Sequence, residues 1–76
     1  FNVSYYTTIK VVNRDGKVVK AEVKCGGVSK GFTDVNTGEI SFDLRSNDSY
    51  AVSSSRMGEH ASGNVSGGKE LTLRLR

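Results

Sequence analysis

Apolar residues recur at every second position through nearly the whole chain. Ile9 and Val11 alternate with Thr8 and Lys10; Ala21, Val23 and Cys25 with Lys20, Glu22 and Lys24; Ile40, Phe42 and Leu44 with Ser41 and Asp43. Tyr50 and Val52 begin a further run, and Leu71, Leu73 and Leu75 alternate with Thr72, Arg74 and Arg76. A period of two sends successive side chains to opposite faces of an extended strand, so each apolar set is one buried face. A helix would need apolar residues three and four apart, and no segment supplies them convincingly. Five clear strands follow, with weaker ones expected near Val28 to Thr33 and Ala61 to Val65. Phe42, at the centre of the best alternating stretch, is predicted to point inward, deeply enough that Phe42→Ala would unfold the chain.

Between these stretches lie Asp15-Gly16, Gly26-Gly27, Asn36-Thr37-Gly38, Asn47-Asp48, Met57-Gly58 and Gly67-Gly68. Glycine and asparagine there supply the positive φ that a tight reversal needs. The chain has no proline, which suits strands whose N–H groups are all engaged in ladders. Ser53-Ser54-Ser55 is too short for a linker and reads as strand. The expected fold is a single small all-β module over residues 1–76, an antiparallel Greek-key sandwich of about seven strands. With 76 residues its core must be thin, because a chain of this size buries only about 60 % of its unfolded surface. No apolar run approaches the ~20 residues that span a bilayer, so no membrane insertion is expected. The chain starts at Phe1 without a methionine or a basic-then-apolar leader, from which an excised piece of a larger protein is expected.

The order of landmarks narrows the fold. A first strand is followed by Asn13-Arg14-Asp15-Gly16-Lys17-Val18-Val19, Ala21-Glu22-Val23, Gly31-Phe32-Thr33-Asp34 with Gly38, Ile40-Ser41-Phe42-Asp43-Leu44 and Tyr50-Ala51-Val52. This resembles the transthyretin-like modules, also called carboxypeptidase regulatory-like domains, over roughly nine-tenths of the chain. The departure is Val18, where that pattern usually has proline. The resemblance implies a seven-stranded sandwich appended to a larger secreted, surface or secretion-machine protein, where such modules are spacers, adaptors or binders of protein or carbohydrate. One version is the C-terminal effector-holding module of a bacterial secretion spike. A related surface repeat carries a Lys-to-Asn cross-link, but Lys10 is expected to face solvent and the closing strand from Leu71 to Arg76 has no asparagine.

Few residues carry reactive chemistry. His60, the only histidine, follows Glu59 in an expected loop, and nothing in the sequence places Ser53, Ser54 or Ser55 beside it as a nucleophile. Cys25 continues an inward-facing set, as a small buried hydrophobe would, and as the one cysteine it forms no internal disulfide. Asp34, Asn36 and Glu39 have loop spacing, but Thr37 stands where a calcium loop wants its third ligand, so an Asx-type turn is expected. No catalytic residue, metal or cofactor is therefore expected.

The net charge of +3 comes from intermixed charges. A basic face of Lys10, Lys17, Lys20, Lys24, Lys30, Arg74 and Arg76 would require the first, second and last strands to be neighbours. Nucleic acid would also need exposed aromatic platforms, and apart from Phe1, Tyr5 and Tyr6 the aromatics hold core parity, so no nucleic-acid partner is expected. Without tryptophan, sugar stacking is disfavoured too. Asn2, Asn47 and Asn64 each head an Asn-x-Ser triplet, but in so serine-rich a chain these are expected by chance. A protein partner remains, docked on a strand edge or on the loops carrying Asp34, Asn36, Glu39, Glu59 and His60; a spacer without a ligand is the alternative.

Overall fold

The computed structural model describes residues 4–76; Phe1 and Asn2, the head of the first Asn-x-Ser triplet, lie outside them. Seven strands form: β1 (Tyr5–Val12), β2 (Glu22–Cys25), β3 (Val28–Phe32), β4 (Glu39–Leu44), β5 (Ser49–Arg56), β6 (Glu59–Ser66) and β7 (Glu70–Arg74). They make a three-stranded sheet of order β4-β1-β7 and a four-stranded sheet of order β3-β2-β5-β6. The chain changes sheet at β1–β2, β3–β4, β4–β5 and β6–β7, so no sheet is a simple meander. One pairing departs from the all-antiparallel expectation: β1 and β7 run parallel, with Ile9 opposite Leu71 and Val11 opposite Leu73.

Alternation becomes two inner faces pressed together. Ile9, Val11, Val23, Val52, Leu73 and Leu75 are almost wholly buried, with Ala21, Cys25, Leu44 and Val65 around them. Ile9 and Val11 sit at the centre because β1 has a neighbour on both sides. Phe42 has the inward parity expected of it but is only half-buried. Its strand β4 is an edge, and the Lys30 ammonium lies 5.5 Å from the ring centroid.

Two hairpins are set by their turns. Gly26 and Gly27 (φ 61° and 84°) join β2 to β3, and Met57 and Gly58 (φ 48° and 83°) join β5 to β6. Positive φ at both central residues is the type I′ geometry, whose twist matches that of the flanking strands. Val23/Lys24 carries a register shift against β3. Phe32 at the end of β3 is 60 % exposed, against the expectation of core parity, and Lys20 lies over its ring at 5.5 Å. Tyr5 corrects in the other direction, packing against the core.

The sandwich is closed along one side only. His60 donates its N–H to the Arg76 carbonyl (3.1 Å) and accepts one from Arg76 N–H (3.0 Å), tying the start of β6 to the end of the chain. Beyond this rung no backbone hydrogen bond joins β6 to β7 among the described residues, a break in the ladder that we call the fork, although Leu71 and Leu73 of β7 still pack against Gly63 of β6. The opposite side presents the edges of β3 and β4.

Candidate functional site

The strand directions gather the sequence-predicted residues at one end of the sandwich. Lys10 at the end of β1 is opposite Glu39 at the start of β4, Glu22 at the start of β2 is opposite Ser55, and β7 ends beside β1. The turns at Asp34 and at Met57 therefore lie at the same end. The first sits on the open β3–β4 side and the second on the closed β6–β7 side.

On the open side, Asp34 holds its own turn. Its Oδ1 accepts from the N–H groups of Asn36 (2.7 Å) and Thr37 (3.4 Å). Its carbonyl accepts from Gly38 N–H (2.7 Å), and its N–H donates to the Glu39 carbonyl (3.0 Å). This is the Asx-type turn read from the sequence. Asn36 and Glu39 are exposed. No cluster of three or more metal-ligating side chains occurs among the described residues.

On the closed side two expectations change. His60 lies within β6, exposed, because the reversal is completed by Met57 and Gly58 alone. Ser55 stands directly opposite it, so strand pairing does put a serine beside the histidine. The row continues to Glu22 on the far side of Ser55. A Ser-His-acid relay needs the carboxylate behind the imidazole, to orient it. Here the Glu22 carboxylate is beyond the serine, accepting from Ser29 (3.4 Å) and 3.9 Å from Lys24. Ser54 is turned inward, donating to the Glu22 carbonyl at 2.8 Å.

Glu59 is half-buried between two arginines, 4.0 Å from Arg14 and 3.8 Å from Arg56. Arg74 reaches across to donate to the Arg14 carbonyl, and Arg76 is bonded through its backbone to His60. Four of the five arginines, Arg14, Arg56, Arg74 and Arg76, are thus brought to the end of the sandwich that carries Glu59 and His60. Intermixed charge along the chain had pointed to no such concentration. Its only linear trace is the outward parity of Arg74 and Arg76; the rest depends on the parallel β1–β7 pairing. A cleft on this side is lined by His60, Ser62, Thr72, Leu73, Arg74 and Arg76.

Cys25 is buried and free; burial pushes its thiol up, and Lys30 opposes this. A raised value means that the unfolded chain gives up this proton more readily than the folded one, so the thiol favours folding below its ordinary value and ceases to as pH rises through that range. The thiolate is the reactive form. Labelling by iodoacetamide at pH 8 is expected to follow unfolding, accelerating sharply in urea; fast labelling of native protein would contradict the burial.

No family model matches the chain, and a search of curated proteins finds no significant match.

Proposed function

We propose that this chain is a non-catalytic protein-interaction module, an adaptor within a larger secreted, surface or secretion-machine protein. The observation carrying this reading is the fork. Past the His60–Arg76 rung, the outward backbone groups of Ser62 and Asn64 have no backbone partner among the described residues. An unpaired strand edge is a template for a partner's main chain. The serine, histidine and glutamate across the outward face of the four-stranded sheet are in the wrong order for a relay, which supports a binding role over catalysis.

Kinship with transthyretin-like modules is part of the proposal. It is supported by the seven-stranded, two-sheet architecture and by the structural work of the residues that prompted it: Asp34 builds its turn, and Thr33 and Gly38 are buried beside it. A spacer is the second reading, favoured by the elongated shape of 42 × 21 × 17 Å.

The test is affinity capture from lysate of the source cells, with a Glu59→Ala/His60→Ala variant alongside. One stoichiometric protein, weakened or lost with the variant, is expected. Repeated capture of nothing specific would favour the spacer.

A further inference from the structure

We infer that the β6–β7 fork receives an extended acidic segment of a partner protein, which adds to β6 as a strand and sets its carboxylates against Arg74 and Arg76. This rests on the adaptor reading and names the chemistry of its partner.

Four edges compete for such a strand, and they differ in how they are guarded. The β7 edge, facing β6, begins at exposed Glu70, whose carboxylate would repel an acidic chain. The β3 edge is bent by the register shift at Val23/Lys24 and by Gly31 at φ 116°, and it carries Lys30. Bulges and lysines are the usual protections of an edge. The β4 edge carries Glu39 and Asp43, both exposed, which would repel acidic chains. The β6 edge has neither device: Ser62 and Asn64 are uncharged and no register shift interrupts the β5 pairing, while the Leu71 and Leu73 side chains fill the space beside Gly63. Half-buried Leu71 is an apolar surface that the inward residues of an added strand would cover.

Charge selects the sequence of that strand. Arg74 and Arg76 line the cleft, while Arg14 and Arg56 share the single carboxylate of Glu59. Arginine is suited to a carboxylate because its planar fork donates two parallel hydrogen bonds. A nucleic-acid strand would find the same cations but nothing aromatic among the cleft residues on which to stack its bases, and it cannot use the backbone groups of Ser62 and Asn64 as a ladder.

The probe is a peptide of about ten residues alternating Glu and Val, the length of a long strand, titrated into isotopically labelled protein and followed by amide NMR. The amides of Ser62 and Asn64 are expected to shift and to gain protection from exchange. Binding should fall several-fold on raising salt, because the charges are exposed. Arg74→Gln/Arg76→Gln should weaken it about tenfold. Ser62→Pro, which removes an outward N–H without touching the β5 ladder, should abolish it. The arginine pair decides the matter if that variant does not fold. Shifts confined to β3 or β4, equal binding of a Lys/Val peptide, tighter binding of a single-stranded oligonucleotide, or no binding would each overturn the inference. A protein captured from lysate equally by wild type and by Arg74→Gln/Arg76→Gln would overturn it while leaving the adaptor reading intact; no captured protein would overturn the adaptor reading itself.

Discussion

Gly38→Ala is expected to cost about 3 kcal/mol or more, most of the margin of a domain this small. Two terms add. Gly38 has φ 69°, a left-handed conformation that costs a residue with a Cβ roughly 1 kcal/mol. The added carbon would lie 2.6 Å from Val18 Cβ and 2.9 Å from the Val11 carbonyl oxygen, contacts no side chain tolerates without movement of the backbone. That movement is resisted, because the Gly38 carbonyl accepts Val11 N–H at 2.8 Å. Forced overpacking costs about 1 to 3 kcal/mol. Gly16→Ala is the control: at φ 84° it meets nothing within 4 Å and should show the conformational term alone. Urea denaturation of both variants measures the difference, and equal midpoints would refute the close approach.

Gly38 also shows where legibility stops. Its turn is readable from Asn36-Thr37-Gly38, but the second reason for glycine, a close approach to Val11 of β1, exists only after distant parts of the chain have met. Phe42 and Ile9 make the same point for the core. Their parity is equally clear in the chain, yet Ile9 is sealed and Phe42 is half-open because β1 is central and β4 is an edge. Period-two patterning reports which way a side chain points and carries no information on how many neighbours its strand has. Phe32 fails for a local reason: it lies at the end of an edge strand whose register against β2 is already shifted.

The candidate site divides along the same line. Asp34 and its turn are local, so the sequence is sufficient to read them. Pairing of Ser55 with His60 follows once the two-residue turn at Met57-Gly58 is recognised, since a two-residue hairpin loop fixes register. The arginine cluster has no local signature. Arg14, Arg56 and Arg74 meet only because β7 pairs parallel to β1 and the chain end closes onto β6. Charge that is mixed along the sequence is separated by topology, and composition cannot report that.

Thr33→Val is the second large loss expected, about 2 to 5 kcal/mol, from a substitution that scarcely changes shape. The Thr33 hydroxyl is buried; it donates to the Val19 carbonyl at 2.7 Å and accepts Ala21 N–H at 2.8 Å, while Thr33 N–H donates to the Ala21 carbonyl at 2.9 Å. These bonds satisfy the crossover that carries the chain from one sheet to the other. Valine fills the same space and strands one backbone donor and one acceptor, each costing about 1 to 3 kcal/mol when buried without a partner. Thr33→Ser keeps both bonds and gives up one methyl, so its loss should stay near 1 kcal/mol. The order of stability, threonine above serine above valine, separates hydrogen bonding from packing. Amide exchange at Ala21 should quicken in the valine variant well beyond the serine one. A valine variant as stable as the serine variant would mean that water or backbone movement replaces what the hydroxyl supplies, and the crossover would then be held by the apolar contacts of Val19 and Ala21 alone.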